Sequence, residues 1–375
     1  MVKRLGELMG SLDLDVKESQ IATQRHLPQK PKICLVFCGG TIAMASNPKT
    51  GALEPAKSPE ELLASVPKVK DHLDLEILEV FNKDSSNLRP SDWEKIVRAI
   101  YDVYHKYDGI VVTHGTDTMA YSAAAVAFAL QSISKPIVFT GSQSPLDELG
   151  SDATFNLENA FRVATSGLKQ VAISFGHFIH TGVRATKISE SAYNAFDSPI
   201  TGPIGRVERS IRWTPIAKTA GLGMNGEVNY KPDFSSGILS IRSDPPLEPW
   251  MIEDMVKTKK LKALVIEALG AGNIPEHYHP VIEKVVKEYK LPVVVTSPFI
   301  GGSVAGIGTY ASGLGALHAG VISSGDMTFP AATVKLSWVI AQIEKQIQQG
   351  FLSENDIVPT IRAEFKKNFV GEITL

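Results

Sequence analysis

Short runs of apolar residues alternate along the chain with longer segments in which apolar residues recur every three to four positions. The short runs predict buried strands at 33–38, 75–81, 110–113, 136–140 and 170–175, and again at 238–242, 262–268 and 292–296. The longer segments predict helices at 91–106, 120–130, 152–165, 250–260, 277–289, 313–320 and 330–346. Because strands that alternate with helices are typical of parallel βαβ units, the pattern predicts an α/β fold with a doubly wound parallel sheet.

Three stretches interrupt this alternation. Residues 1–32 are polar, with a few regularly spaced Leu and Met residues that suit either a short helix or a frayed tail. Residues 43–59 have the Pro, Gly, Ser and Lys content of a mobile loop, and residues 207–236 lose the periodicity. We therefore expect four parts: an extension at 1–32, an N-terminal α/β domain at 33–212, a connector at 213–236 and a smaller C-terminal α/β domain at 237–375.

Composition and charge are those of an ordinary soluble globular protein. Hydrophobic residues make up 43% and charged residues 21%, with a formal net charge of −2, so neither nucleic acid nor a membrane is an expected partner. We find neither a signal peptide nor an apolar run of the ~20 residues that a membrane span needs. Cys34 and Cys38 fall on one predicted strand, roughly 13 Å apart and too distant for a disulfide. A reduced, cytoplasmic protein is the expectation.

Two of the predicted strands end in glycine followed by a hydroxyl residue. Strand 33–38 leads through two glycines to Thr41, and strand 110–113 leads through Gly115 to Thr116 and Asp117. Open α/β sheets bind ligands at the carboxyl ends of their strands, where helix N-termini also favour negative charge. Each threonine alone is also compatible with an ordinary turn or helix cap. Two threonines delivered to the same sheet edge favour a site.

Three motifs carry a family resemblance: Gly-Gly-Thr-Ile-Ala at 39–43, Asp-Ser-Ser-Asn at 84–87 and His-Gly-Thr-Asp-Thr at 114–118. In this order and spacing they resemble the bacterial-type L-asparaginases, in particular the cytoplasmic type I branch, from about residue 31 to the C-terminal region. The resemblance implies a flavodoxin-like N-terminal domain and conversion of L-asparagine and water to L-aspartate and ammonia. It implies no metal or organic cofactor and a homodimer or homotetramer. It leaves open the preference for asparagine over glutamine and allosteric activation by asparagine.

The resemblance also implies roles for the matching catalytic residues. Thr41 matches the threonine that attacks the carboxamide and forms an acyl-enzyme, and Thr116, Lys187 and Asp117 match the set that acts beside it. Hydrolysis of an amide by a weak hydroxyl nucleophile needs such a neighbouring base, and a lysine between a hydroxyl and a carboxylate is a plausible proton relay. Without the resemblance, Lys187 also suits an ordinary surface lysine.

The matching substrate-binding residues lie in two loops. Asp84, Ser85 and Ser86 match the loop that holds the α-carboxylate and α-amine of the substrate, while Asp117 also holds the amine and Gly115 lets the backbone approach. An amino-acid substrate carries both charges, so its pocket needs both an acceptor and donors. Gln143 follows a strand and either lines the pocket or has no role.

One departure from the family concerns the loop after Thr41. Many members carry a tyrosine there, beside a glycine, that helps to activate the first threonine. In this chain Ala52 follows Gly51, and no tyrosine occurs between Thr41 and Tyr101. Our hypothesis is therefore that the set of Thr116, Lys187 and Asp117 carries more of the proton transfer here.

Two other functions compete with asparagine hydrolysis. The chain also resembles, at 50–52 and 335–338, the amidase subunit of a glutamyl-tRNA(Gln) amidotransferase, although such subunits usually carry an added N-terminal domain for which 32 residues are too few. The third hypothesis is a non-catalytic amino-acid sensor. The sequence contains no Gly-x-Ser-x-Gly elbow and no phosphate loop, and its close histidine pairs at 177–180 and 277–279 lack a zinc pattern.

Overall fold

A computed structural model describes residues 29–219 and 227–374. The strands are β1 (Lys32–Gly39), β2 (Met44–Ser46), β3 (Leu53–Pro55), β4 (Asp74–Lys83), β5 (Gly109–Thr113), β6 (Leu130–Gln131), β7 (Ile137–Thr140), β8 (Val171–Phe175), β9 (Phe178–Thr181), β10 (Thr186–Lys187), β11 (Phe196–Asp197), β12 (Gly205–Val207), β13 (Ile211–Trp213), β14 (Asn229–Tyr230), β15 (Ile238–Arg242), β16 (Ala263–Glu267), β17 (Val293–Thr296) and β18 (Ile322–Ser323).

The helices are α1 (Pro59–Ala64), α2 (Val69–His72), α3 (Pro90–Tyr104), α4 (Met119–Ala129), α5 (Ala153–Ala164), α6 (Pro215–Thr219), α7 (Pro249–Lys257), α8 (His279–Lys287), α9 (Ala311–Ala319), α10 (Phe329–Gln348) and α11 (Ile357–Phe365). Short 3₁₀ turns occur at Thr41–Ala43, Ser85–Asn87, Glu276–Tyr278 and Glu354–Asp356. The helix or tail expected at the start of the chain lies outside the described residues.

The larger sheet has eight strands in the order β13-β12-β9-β8-β7-β5-β1-β4. The pairs from β4 to β8 are parallel, and the pairs from β8 to β13 are antiparallel. The chain leaves β1 for β4 on one side and then crosses to β5 on the other. Loops that leave β1 and β5 in opposite directions open a crevice at their carboxyl ends, which is where α/β sheets of this kind bind ligands.

Helices cover both faces of this sheet, because alternate side chains of its buried strands are apolar on each side. Helices α3 and α4 pack on one face, around Ile100 and Val112. Helices α1 and α5 pack on the other face, around Leu62 and Phe161. The prediction of a doubly wound α/β domain is therefore confirmed.

The smaller sheet is wholly parallel, in the order β15-β16-β17-β18. Helices α7, α8 and α9 contribute to the core on one of its faces. The long helix α10 lies on the other side and packs against α4, where the rings of Phe128 and Trp338 stack with centroids 5.9 Å apart. One continuous hydrophobic core therefore joins the two sheets through these helices.

The structure adds elements that the sequence pattern did not predict. The antiparallel strands β9, β12 and β13 extend the large sheet, and α11 follows α10 near the C-terminus. The segment expected to be a mobile loop at 43–59 contains the hairpin of β2 and β3. Helix α3 is capped by Asp92, which accepts a hydrogen bond from the backbone N–H of Arg89 at 3.2 Å, so the helix starts one residue before the predicted Ser91. Short strands of two to four residues are too brief for a periodicity to show.

Candidate active site

Three loops at the carboxyl edge of the large sheet pack closely against one another. A Cβ atom built on Gly40, after β1, would lie 2.3 Å from the backbone nitrogen of Gly115, after β5. A Cβ atom built on Gly115 would lie 2.5 Å from Oγ of Ser85, after β4. Gly40 also has a φ of 91°, which side chains disfavour. The two glycines therefore bring Thr41, Ser85 and Thr116 to one place.

Lys187 joins the second threonine to the neighbouring carboxylate. Its Nζ donates hydrogen bonds to Oγ1 of Thr116, at 2.8 Å, and to Oδ1 of Asp117, at 2.7 Å. The lysine side chain is 18% exposed and that of Asp117 is 63% exposed, whereas Thr116 is buried. The ion pair is thus open to water on its carboxylate side. An exposed pair of this kind adds little to the free energy of unfolding, but it places the ammonium against the hydroxyl.

Only the fold brings Lys187 to this position, because it lies 71 residues after Thr116. The lysine ends the two-residue strand β10, which pairs with β11 so that Lys187 lies opposite Phe196. Just before it, Val183 and Ala185 are buried in the apolar core. The neighbouring side chains thus anchor the backbone while the ammonium reaches the sheet edge.

Gln143, after β7, completes the contacts of Thr116. The Thr116 hydroxyl donates to Oε1 of Gln143 at 3.4 Å. The side-chain nitrogen Nε2 of Gln143 donates to the backbone carbonyl oxygens of Ser189, at 3.3 Å, and Ala192, at 3.2 Å. Gln143 therefore links the threonine to the loop that follows Lys187. In the sequence, the position of Gln143 directly after a strand suggested a place near the site. The same position also suits a surface residue, so the sequence did not predict the contact with Thr116.

Thr41 opens the 3₁₀ turn after β1 and is partly exposed. Within the described part of the chain, no side chain forms a hydrogen bond with its hydroxyl. The hairpin of β2 and β3 follows, and exposed Ala52 lies between its strands. Among the described residues, no side chain that could act as a base contacts the Thr41 hydroxyl, whereas the Thr116 hydroxyl contacts Nζ of Lys187.

The loop after β4 holds the other residues expected to bind substrate. The Asp84 carboxylate accepts the backbone N–H of Ser86 at 2.9 Å, which closes the loop on itself. Ser85 is buried and its carbonyl accepts the hydroxyl of Thr118 at 2.8 Å, whereas Ser86 is exposed. Ser85 therefore lies deepest of the three, against the loop that contains Thr116.

His114 supports the same loop from beneath. The ring is fully buried, and its Nδ1 lies 2.7 Å from the carbonyl oxygen of Gly115. Burial lowers the pKa of His114 to about 4, although the hydrogen bond to Gly115 acts in the opposite direction. A neutral ring with its proton on Nδ1 donates to that carbonyl. His114 is therefore a support for the loop and not a base at neutral pH.

A cavity of about 310 Å³ lies on the far side of the lysine, between the two sheets. Asp117, Tyr121 and Lys187 line one side, and Glu267 and Ser297 line the other. Burial, and to a smaller extent the charge of Glu267, raises the pKa of Tyr121 to about 12. The lining includes Asp117 and Lys187 of the candidate site, but neither Thr41 nor Thr116.

Residues 29–219 and 227–374 contain no group of three or more His, Cys, Asp and Glu side chains placed to hold a metal ion. Over the same ranges, none of the helices combines the length and the apolar character of a membrane span. Cys34 and Cys38 are buried free thiols, and burial raises the pKa of both. Neither thiol is therefore a thiolate nucleophile at neutral pH.

Two family models match the chain. The model described as "Asparaginase, N-terminal" matches residues 32–217, and the model described as "Glutaminase/Asparaginase C-terminal domain" matches residues 239–351. Together they cover both sheets and every residue of the candidate site.

Individual proteins show the same relationship. The chain is 32% identical to an L-asparaginase of Thermococcus kodakarensis, over 92% of this chain and 99% of the relative, and that enzyme's solved structure superposes with a TM-score of 0.80. It is 32% identical to L-asparaginase 1 of Escherichia coli K12, over 92% and 99% of the two chains. It is also 33% identical to one of the subunits of the glutamyl-tRNA(Gln) amidotransferase of Thermococcus kodakarensis, over 93% and 78%. This chain therefore belongs to the asparaginase family of amidohydrolases.

Proposed function

We propose that the protein hydrolyses the side-chain amide of L-asparagine to give L-aspartate and ammonia. The observation that carries this proposal is the position of Lys187, whose ammonium contacts both the Thr116 hydroxyl and the Asp117 carboxylate at the edge where Ser85 and Thr41 also lie. A hydroxyl held by a lysine is an arrangement for moving a proton to and from an attacking oxygen.

The proposed reaction has two halves. The Thr41 hydroxyl oxygen attacks the carboxamide carbon, the C–N bond breaks, and the hydroxyl proton leaves with the amide nitrogen as ammonia. Water then attacks the resulting ester, restores the Thr41 hydroxyl and releases the carboxylic acid. Thr116 and Lys187 carry the proton in both halves, since no side chain beside Thr41 supplies a base in the described structure.

The proposed substrate contacts follow from charge. The exposed Asp117 carboxylate attracts the α-ammonium of an amino acid. The buried Ser85 hydroxyl, with the loop of Asp84 and Ser86, provides polar groups for the α-carboxylate and α-amine of the substrate. Gly115 lies against Ser85, and we propose that its backbone also borders the ligand. L-Asparagine, and L-glutamine as a second substrate, are the small molecules that we propose for this site.

A second candidate is the amidase subunit of a glutamyl-tRNA(Gln) amidotransferase. The chain is as similar to subunits of that enzyme as to the asparaginases, at 33% identity over 93% of its length for one of them. In that case ammonia release would depend on a partner subunit. For the free-standing enzyme we propose a homodimer or homotetramer in the cytoplasm, a location that suits the two free thiols.

The test is ammonia release by the purified chain alone from L-asparagine and from L-glutamine, without ATP or tRNA. We expect release from asparagine, and a fall in kcat of at least about 100-fold in Lys187→Met, because the proton relay is lost. Thr116→Ala should fail similarly. The control is Lys284→Met, which removes a lysine that also pairs with a carboxylate, Glu253, but on a different surface.

Three other results would contradict the proposal. A near-normal kcat in Lys187→Met would show that the wrong residues carry the proton. Release that appears only with a partner subunit and tRNA would assign the chain to the amidotransferase. A thermal shift with L-aspartate but no release of ammonia under any condition would identify an amino-acid sensor.

A further inference from the structure

Arg184, three residues before Lys187, is the centre of a buried polar cluster. Its Nη1 lies 3.1 Å from Oδ2 of Asp326, and both side chains are nearly buried, at 7% and 10% exposure. Its Nε donates to the carbonyl oxygen of Gly371 at 2.7 Å, and its Nη2 donates to Oγ1 of Thr374 at 3.2 Å. The guanidinium thus contacts two separate parts of the chain, the loop before α10 and the C-terminal tail at 366–374.

Asp326 and the tail also bind each other. The backbone N–H of Thr374 donates to Oδ1 of Asp326 at 2.9 Å, and its hydroxyl donates to Oδ2 at 2.6 Å. The pKa of Asp326 is lowered, because these hydrogen bonds and the charge of Arg184 outweigh the opposing effect of burial. Asp326 is therefore an anion at neutral pH, and Arg184, Asp326 and Thr374 form a closed set of charge-assisted contacts.

A second buried pair fixes the tail from the other side. Lys335 of α10 donates to the Glu372 carboxylate at 2.7 Å, and both side chains are completely buried. The same carboxylate accepts the backbone N–H groups of Phe369 and Val370. The tail is consequently a rigid partner for Arg184, because its own position is set by α10.

The backbone before Lys187 is also held by the buried side chains of Val183 and Ala185 and by bonds from the N–H groups of Arg184 and Ala185 to the carbonyl of Thr181. Strand β10 contains two residues, and one further backbone hydrogen bond, from Ile188 to Ala195 at 2.8 Å, continues its pairing. Gln143 holds the loop after the lysine, and Arg184 holds the backbone before it. A buried arginine that is bonded through three of its nitrogens cannot rotate without losing several charge-assisted bonds at once.

We propose that Arg184 is a positioning residue. It binds Asp326 and the C-terminal tail and thereby holds the Lys187 ammonium between Thr116 and Asp117. The inference rests on the proposed function, because the contacts of Arg184 matter to catalysis only if Lys187 moves a proton. Arg184 touches none of the proposed reacting groups. Its loss should therefore slow the chemical step more than it weakens substrate binding.

The test compares Arg184→Met with Arg184→Lys. We expect Arg184→Met to lower kcat by 10- to about 100-fold, as for a small misplacement of a catalytic group, while KM changes by less than about threefold. Arg184→Lys should recover part of the loss, because it keeps the charge beside Asp326. Added guanidinium ion should restore activity to Arg184→Ala at matched ionic strength, because alanine leaves space for it.

The matched control is Arg362→Met. Arg362 also donates to two backbone carbonyls in the C-terminal half, those of Val321 and Gly320, but has no contact with the segment before Lys187. We expect this variant to lose stability yet keep the kcat of the wild type. If it loses kcat as Arg184→Met does, general loosening explains the effect and the inference is wrong.

A second readout does not depend on catalysis. Trace acetylation of Lys187 with acetic anhydride, followed by mass spectrometry, measures how accessible its amine is relative to exposed Lys106, which lies far from the tail in the sequence. We expect faster acetylation of Lys187 in Arg184→Met and no change in Arg362→Met. If the wild type hydrolyses neither amide, the proposed function fails, while this labelling still decides the inference. Unchanged labelling and unchanged kcat in Arg184→Met would overturn it.

Discussion

His114 belongs to a motif that the sequence identifies, but its structural role depends on its burial in the fold. Its neighbours in the motif are the glycine, threonine and aspartate of the site, yet its ring is fully buried under their loop. Its Nε2 is buried without a hydrogen-bond partner in the described structure. Protonating this ring would place a charge in an apolar setting, which is why burial lowers its pKa to about 4.

This burial makes the stability of the protein depend on pH. Between pH 6.5 and about 4 the unfolded chain protonates His114 while the folded chain does not. The free energy of unfolding should therefore fall as the pH falls through this window, by up to about 3 kcal/mol from this residue. Buried His180, whose pKa is also lowered to about 4, acts in the same direction. Both contributions are fully present above pH 6.5.

Urea unfolding of the wild type and of His114→Gln at a series of pH values measures the effect. We expect a shallower loss of stability with acid in the variant, since glutamine does not titrate and His180 is common to both proteins. Parallel curves over the whole range would contradict the prediction.

At the scale of elements, the loop proposed to bind substrate is fixed by a contact between a strand and a helix. Lys83, the last residue of β4, donates to Asp92 in the first turn of α3 at 2.8 Å, and Lys95 donates to the same oxygen at 3.1 Å. Burial alone would raise the pKa of Asp92, but these lysines and the backbone N–H of Arg89 outweigh it and lower the pKa. The buried carboxylate thus ties together both ends of the loop at 84–88.

Asp92→Asn tests this tie. The amide keeps the shape but loses the charge, so we expect a destabilisation of about 1–3 kcal/mol. KM should rise more than kcat falls, because we propose that this loop binds substrate and does not move protons. Steady-state kinetics and thermal unfolding measure the two effects. The control is Glu253→Gln, which removes a carboxylate that also pairs with two lysines, Lys257 and Lys284, but lies on α7, away from this loop in the sequence. Equal changes of KM in both variants would contradict the assignment.

At the scale of the whole molecule, α10 decides how the two sheets are joined. It packs against α4, which starts directly after the loop of Thr116, and its Trp338 donates to the backbone of Lys231 at 3.1 Å. Its Lys335 is completely buried and holds the tail through Glu372. A charge in this position is tolerated only while its partner is present.

We therefore expect non-additive effects of this buried pair. Lys335→Met should destabilise the protein by about 3–5 kcal/mol, because it leaves the Glu372 carboxylate buried and unpaired. The double variant Lys335→Met/Glu372→Gln should recover a large part of the loss, since the amide oxygen can still accept the backbone N–H groups without a buried charge. Calorimetric unfolding of the wild type, both single variants and the double variant measures the coupling. Additive losses would argue against it.

The sequence alone predicted the long elements and the identity of the site loops. Strands such as β1 and β5 and helices such as α3 and α10 have enough residues for a periodicity to show, and each lies within a few residues of its predicted position. The glycine-hydroxyl endings of β1 and β5 identified the sheet edge because parallel strands expose their carboxyl ends on the same side. The domain bounds and the roles of the site residues stay predictions.

Only the tertiary structure decided which distant residues meet. The contact of Lys187 with Thr116 spans 71 positions and that of Arg184 with Thr374 spans 190, and local propensity carries no information about such pairs. The antiparallel extension of the large sheet also depends on strands too short to recognise, which form because an existing edge offers them hydrogen bonds. Sequence thus determined the elements and the chemistry at their ends, through local periodicity and turn geometry. Packing of the two sheets through α4 and α10 decided the partners, because burial and long-range contacts are properties of the assembled chain.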